Sequence, residues 1–317
     1  MILGFAETAL RIQGYQPTIS DSMDLWAYHR RRVYEDSGRS VVLLGASRIQ
    51  TGFAPLAFRE RFGNHRLTQL AIPGTSPLAT LHDLADDERF YGTVICSMTA
   101  FAIPEKLERA HSQKAYTAHY REQVEYREVE KELESGRLEE SLVLAGAPFR
   151  LKSVLRRIFS GSNAAPPDFL TTRFDRSQAA DYQKVNLAEH RRERVGRIRQ
   201  FYRTYVPTEP DVQEWIQDAQ GLKPYIERIK NRGGSVVFVR FPSSGEHWAL
   251  CESHFPKTRF WDRLSELTGA TTIHFKDVPQ LAKFDCPDSS HLDVRDAYSF
   301  TNALIDECVR RKILNEP

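Results

Sequence analysis

The chain is poor in cysteine. It has four in 317 residues, Cys96, Cys251, Cys286 and Cys308, and no two stand in Cys-x-x-Cys spacing. That argues against a structural zinc site. Cys96 lies in an apolar run and is expected to pack in a core, whereas a disulfide between Cys251 and Cys286 stays open for an oxidising compartment. No apolar run approaches the ~20 residues that a helical membrane span needs. Excess charge is also lacking: 44 basic residues face 42 acidic ones for a net charge of +2, which argues against a dedicated nucleic-acid binder. Basic residues cluster only locally, at His29-Arg30-Arg31-Arg32 and across Arg191 to Arg199. Both runs are interleaved with acids and apolar residues and read as solvated helix faces. There is no internal repeat, and the first strand-to-helix loop has no glycine-rich phosphate cradle, which weakens a nucleotide-binding reading.

What is present is an ordinary folding composition, 41% hydrophobic and 27% charged, which fits a globule and not a disordered chain. Apolar runs of strand length recur at Val41–Leu44, Leu67–Ile72, Thr93–Met98, Ser235–Phe241 and Ala270–Phe275. They are almost continuously apolar, as strands covered on both faces are. Helical patterns fall between them, over Pro55–Phe62, Leu78–Phe90, Pro210–Arg232 and Pro256–Thr268. The last two end at Gly233-Gly234 and Gly269. A final helix starts at Asp293, with Ala297, Phe300, Leu304 and Cys308 at helical spacing. The alternation predicts an α/β fold with about five parallel strands flanked by helices. Residues 102–208 break the rhythm. They carry a charged, helix-favouring stretch, Arg121 to Glu134, and a loop-like one, Ser160 to Pro167. They are predicted to be a helical insertion between the third and fourth strands, a lid or substrate platform over the core formed by 40–101 and 209–317.

Ligands bind at the carboxyl ends of the strands in such a sheet. Ser47 stands there, after Val41-Val42-Leu43-Leu44-Gly45-Ala46, where Gly45 lets the chain turn and a helix-start amide can face a developing oxyanion. Asp288-Ser289-Ser290-His291 follows the fifth strand and precedes the last helix, on the same rim. A serine, a histidine and a carboxylate that fixes its tautomer are what nucleophilic acyl transfer requires. Arg240 ends the fourth strand and is expected to face the crevice; it could hold an anion or assist an oxyanion, or be an ordinary strand-end arginine, and Arg48 beside the serine could do the same or pair with an acid on the next helix. His247, Cys251 and His254 are spaced unlike any metal site, and Trp248 and Leu250 between them suggest a packed helix.

These blocks resemble those of the SGNH hydrolases, also called the GDSL family. Gly45-Ala46-Ser47 is similar to the family's Gly-Asp-Ser block, with Ala46 in place of Asp. Gly74, in Ala71-Ile72-Pro73-Gly74-Thr75-Ser76-Pro77, matches the glycine whose amide serves the oxyanion hole, and Asp288-Ser289-Ser290-His291 matches the last block. The family's Gly-x-Asn-Asp block has no counterpart: Cys96-Ser97-Met98-Thr99-Ala100 stands there, without the Asn. Gly45-Ala46-Ser47-Arg48 followed by Gly52 is similar to the Gly-Ser-Ser-Arg type of bacterial SGNH-like proteins of envelope polymers, including relatives in alginate O-acetylation and teichoic-acid D-alanylation. The resemblance covers about 40–101 and 230–312.

The resemblance implies a flavodoxin-like SGNH fold and a serine esterase or O-acyltransferase. Ser47 would be the nucleophile, His291 the base and Asp288 its orienting acid. Gly74, Ser97, Arg48 and Arg240 would hold the oxyanion or substrate. It implies no cofactor or metal. The expected acyl group is acetyl; the implied partners are an acylated carbohydrate polymer or small molecule and a membrane acyl-transfer protein, and the implied place is extracytoplasmic. Residues 1–39 form an N-terminal segment that reads either as a simple N-terminal helix or as the remnant of a trimmed membrane anchor, with Glu7 to Tyr15 similar to the membrane-proximal end of such an anchor. The alternative is a glycan- or partner-binding protein that keeps the fold without efficient catalysis.

Overall fold

The computed structural model describes residues 2–34, 39–104, 106, 112–122, 136–146 and 168–315. Most of the charged stretch from Arg121 to Glu134 and all of 160–167 lie outside these residues.

Five strands form one parallel sheet: β1 (Ser40–Leu44), β2 (Arg66–Gln69), β3 (Thr93–Ser97) and two later strands. Between β3 and the next sheet strand lies a short antiparallel hairpin of β4 (Leu170–Thr172) and β5 (Gln178–Ala180). The sheet then resumes with β6 (Ser235–Arg240) and β7 (Thr271–His274). Its order is β2-β1-β3-β6-β7. That is the 2-1-3-4-5 pattern of flavodoxin-like folds. Four strands start and end within one residue of their expected runs, and β2 stops at Gln69, three residues before the end of its run.

Both faces of the sheet are covered, which is why the strands are apolar at consecutive positions. In β1, Val42 and Leu44 enter one core with Val94, Cys96, Val236 and Phe238. Val41 and Leu43 enter the other with Ile95, Val237, Val239 and Ile273. Alternate side chains of a strand point to opposite faces, so a continuous run feeds two layers. The first core is closed by Leu81 and Leu84 of the Leu78–Asp86 helix, Trp215 of Glu209–Gly221 and Ile226 and Ile229 of Lys223–Asn231. The second is closed by Ile49, Phe58 and the Phe300-Leu304-Cys308 stripe of Val294–Arg310. The side chain of Asp293 accepts from Arg295 N and caps that last helix, as its position suggests.

Four features differ from the sequence reading. The helix expected over Pro210–Arg232 is two, broken at Leu222, because Pro224 supplies no amide for the carbonyl four residues back and starts a helix instead. The pattern over Pro256–Thr268 yields only a 3-10 turn and the short helix Leu264–Thr268, ended by Gly269 at φ 73°. The region between β3 and β6 holds the β4–β5 hairpin beside its helices Lys114–Glu122 and Leu187–Thr204. Finally, Arg30, expected on a solvated face, is fully buried and ion-paired to Asp83 at 2.7 Å.

The hairpin is anchored from within. Arg176, at its turn with φ 63°, is 0% exposed. Its guanidinium meets both carboxylate oxygens of Asp21, at 2.5 and 2.9 Å, and donates to Gln69 O and Ala71 O at 2.9 and 3.1 Å. This single side chain ties the hairpin and the N-terminal segment to the end of β2. Residues 23–34 likewise belong to the core: Trp26 is buried and donates its indole N–H to Leu70 O at 2.9 Å. The N-terminal helix Ile2–Ile12 docks through Glu7, which accepts from the amides of Val143 and Leu144. Among the described residues no helix is long and apolar enough to cross a membrane. All four cysteines are free thiols, Cys251 and Cys286 included.

Candidate active site

From β1 the chain passes to β2 on one side and later returns to β3 on the other. The crevice beyond the carboxyl ends of β1 and β3 is the switch point where this topology places ligands. Gly45 follows β1 and packs on Ser97 at the end of β3 there, and Gly74, in the loop after β2, lines the same cleft as Ser97. Gly45 has φ 139°, and a Cβ on it would lie 2.8 Å from Ser97 Cβ and 2.9 Å from Ser97 O. Only glycine lets β1 turn this close to β3. Gly74 takes φ 72° in the turn after β2, a left-handed conformation that glycine adopts without strain. Ser47 then opens the helix Ser47–Gly52.

Ser47 Oγ lies 2.7 Å from His291 Nε2, and His291 Nδ1 lies 2.8 Å from Asp288 Oδ2. The other carboxylate oxygen accepts the amides of Ser290 and His291 at 2.8 and 2.7 Å, so the Asp-x-x-His spacing closes a tight local turn around one acid. Ser289 takes φ 72° to make that turn. Asp288 is fully buried. Burial alone would push its pKa up, but the His291 hydrogen bond, the His291 and Arg194 charges and the Ser290 amide overcome it and hold the pKa below the usual carboxylate range. An ionised Asp288 only accepts, so Nδ1 of His291 carries the proton and Nε2 is the acceptor for the serine hydroxyl. The His291 pKa is itself lowered, by burial first and then by the Arg194 and Arg48 charges, against the opposing pull of Asp288. The imidazole is therefore neutral at pH 7, the form in which it can take a proton.

The cleft in front of Ser47 has a volume of about 580 Å³. It is lined by Ser47, His291, Arg48, Gly74 and Ser97 of the expected site residues. Arg240 is not among them. Its guanidinium is buried, turns back on its own chain and donates to Phe241 O at 2.6 Å and Ser243 Oγ at 3.0 Å. Burial, with Arg48 nearby, pushes its pKa down to about 10. The strand-end position is as expected; the side chain points elsewhere, because the carbonyl and hydroxyl that satisfy it lie in the loop after β6. A second cavity of about 420 Å³ runs past Arg191, Arg192 and Ser289 and does not reach Ser47.

Several side chains that support the site carry no local sequence signal. Arg194, on the Leu187–Thr204 helix, places Nε 2.8 Å from Asp288 Oδ2. Tyr182 sits beside Asp288, and burial together with that negative charge raises its phenol pKa. Gln113 is fully buried and donates to Gly45 O and Thr75 Oγ1 at 3.2 and 2.9 Å, joining the loops after β1 and β2. Arg48 donates to Ser290 O at 3.2 Å and to His247 Nε2 at 3.3 Å. Burial, followed by the Arg48 and Arg240 charges, pushes the His247 pKa down to about 2, so His247 is a neutral acceptor. Cys251 Sγ meets the Tyr202 hydroxyl at 3.2 Å, and His254 Nε2 lies 3.0 Å from Tyr202 O. Among the described residues no three His, Cys, Asp or Glu side chains gather as a metal site.

The fold and the site define an α/β protein with a Ser-His-Asp line at the carboxyl edge of a parallel sheet. No family model matches the chain, and no curated protein matches it.

Proposed function

We propose that the protein is a serine esterase or O-acyltransferase of the SGNH type, acting through an acyl-Ser47 intermediate. The observation that carries this reading is the hydrogen-bonded line from Ser47 Oγ through His291 to Asp288, at 2.7 and 2.8 Å. Ser47 Oγ attacks the ester carbonyl carbon while His291 Nε2 takes its proton. The negative charge that forms on the carbonyl oxygen is met by backbone amides at Ser47 and Gly74. Ser97, which lines the cleft at the end of β3, takes the place of the family's missing Asn. Collapse breaks the bond to the alcohol, which leaves with the proton from His291. Water or an acceptor hydroxyl then attacks the acyl-serine with His291 again as base, releasing Ser47. Asp288 stays ionised throughout and holds the tautomer.

In this reading residues 102–208 are an insertion that walls the cleft, since Arg194 and Phe201 of Leu187–Thr204 line it. Acyl esters of a carbohydrate polymer outside the cytoplasm remain the proposed setting. The test is a serine-directed fluorophosphonate with mass spectrometry, together with turnover of 4-nitrophenyl esters. Labelling at Ser47 and loss of turnover in Ser47→Ala are expected. An alanine variant that labels and turns over like the parent would sink the assignment.

A further inference from the structure

The chain as a whole is nearly balanced in charge, yet its cleft is not. Three arginines, Arg48, Arg194 and Arg197, line the cavity at Ser47, and among its described lining residues there is no Asp, Glu or Lys. Among the described residues only one of the three is answered by a carboxylate: Arg194 pairs with Asp288, behind His291. Arg48 spends its donors on Ser290 O and the neutral His247. Arg197 is exposed, and no hydrogen bond or ion pair engages it among the described residues. Elsewhere on the same helix Arg199 pairs with Glu246 and Arg191 donates to Pro287 O. Arg240, buried close by, adds another cation, whose hydrogen bonds among the described residues go to a carbonyl and a hydroxyl. Low-dielectric walls and one sign of charge focus the field in such a cleft.

The other lining is apolar. Residues three and four apart share a helix face, so Arg194, Arg197, Ile198 and Phe201 look into the cavity together. Phe201 meets Phe101 edge-on at 4.6 Å. These half-buried groups are too extensive for an acetyl group to cover.

We propose that the cleft takes an anionic ester. A medium-length apolar acyl chain lies along Phe101, Ile198 and Phe201, and an oxyanion on the alcohol side, carboxylate or phosphate, is bound by Arg197. Arginine is the residue whose planar fork suits both oxyanions. The proposal rests on Ser47 being the acyl acceptor and narrows the substrate of that reaction.

The test compares kcat/KM of the intact protein for 4-nitro-3-(octanoyloxy)benzoate, 4-nitrophenyl octanoate and 4-nitrophenyl acetate. The carboxylate-bearing ester is expected to exceed the neutral octanoate by about tenfold, equivalent to about 1.4 kcal/mol. That preference disappears in Arg197→Ala and inverts in Arg197→Glu; the neutral octanoate exceeds the acetate. Equal rates for charged and neutral octanoates, a preference untouched by Arg197→Ala, or acetate cleaved as well as octanoate each overturn the proposal and leave the hydrolase reading standing. If no ester is cleaved and Ser47 takes no label, the hydrolase reading fails instead. Calorimetry with octyl phosphate and with nonanoate then decides the site: binding of either that is lost in Arg197→Ala supports it, and binding of neither overturns it.

Discussion

Arg194 Nε and Asp288 Oδ2 are 2.8 Å apart, and that same oxygen accepts the Nδ1 proton of His291. The carboxylate that orients the base is thus shared with a guanidinium from a helix 94 residues away in sequence. The charge on Arg194 disfavours the imidazolium directly and also draws on the negative charge that would stabilise it. Both effects lower the His291 pKa, in the same direction as burial and the Arg48 charge.

Arg194 is therefore a positioning residue whose removal has a signature beyond lost rate. In Arg194→Gln the His291 pKa rises, and the acid limb of the kcat/KM profile moves to higher pH. Arg194→Lys keeps the charge and leaves the limb close to the parent's. The neighbours that also set this limb, Arg48 and His247 at the serine side and Tyr182 beside Asp288, are unchanged in both variants. A pH profile of Arg194→Gln that overlays the parent's would remove Arg194 from the site.

Asp288→Asn tests the tautomer. An amide at this position donates to Nδ1 as readily as it accepts, so His291 can be held with its proton on Nε2, facing Ser47 instead of receiving from it. Turnover of an activated ester is expected to fall by about 10³- to 10⁴-fold, the scale seen when other Ser-His-Asp triads lose this carboxylate. KM should change little, because Asp288 lies behind His291 and does not touch the cleft. Steady-state kinetics with far-UV circular dichroism to verify the fold is the measurement; a fall below tenfold would mean that Asp288 does not orient the base.

Much of this site was legible because its pieces sit on strand ends, where a short run, a glycine and a histidine carry their own context. Ser47, Gly74 and Ser97 reach one rim for that reason, while Asp288 and His291, which lie beyond the Pro279–Ala282 helix, are marked by their mutual spacing and their place before the last helix. The rest was hidden where position along a strand or helix does not determine which way a side chain turns. Arg240 ends β6 as read, but its guanidinium meets the carbonyl of the next residue. Arg194 stands in a run of arginines whose charge pattern is that of a solvated face, and nothing local marks the one that reaches Asp288. Arg30 and Arg176 are buried by partners, Asp83 and Asp21, that only the folded chain brings to them. The β4–β5 hairpin is three residues per strand, too short for alternation to register.

Arg176 makes a strong prediction about stability. It is 0% exposed, and Arg176→Ala would leave Asp21 without its cation and the carbonyls of Gln69 and Ala71 without their donor. Breaking a buried pair from one side costs about 3–5 kcal/mol. Urea denaturation at pH 7 should show a loss of this order, read from the midpoint at unchanged slope. Because Ala71 leads into the Gly74 turn, ester turnover should fall with it. A loss under about 1 kcal/mol would show that the hairpin is not anchored here.

Stability on the acid side should be set by three histidines that the fold keeps neutral: His29, which burial first and the Arg176 charge second push down to about 4, and the two buried imidazoles His247 and His274. His247 and His274 are 5% and 3% exposed. Burial first, and neighbouring cations second, push their pKa values down to about 2 and about 3. For His247 the cations are led by Arg48 and Arg240; for His274 they are Arg240, Lys257 and Lys276. In the unfolded chain all three titrate near the ordinary value of about 6.5. Between that value and the folded one the unfolded state binds protons that the native state refuses, so stability rises with pH there and is lost as pH falls below about 6.5. Well below that point each histidine contributes about 1.4 kcal/mol per pH unit, roughly 4 kcal/mol per unit for the three. The lowered carboxylates, Asp288 among them, act only at more acidic pH and cannot account for a slope above pH 5. Urea midpoints measured from pH 7.5 to 5 should therefore fall steeply. The slope should fall by about a third in His274→Phe, whose ring can keep the stack against Phe275 and the edge contacts with Trp248 and Trp261. A midpoint that stays level across that range would show that none of these imidazoles is held neutral by the fold.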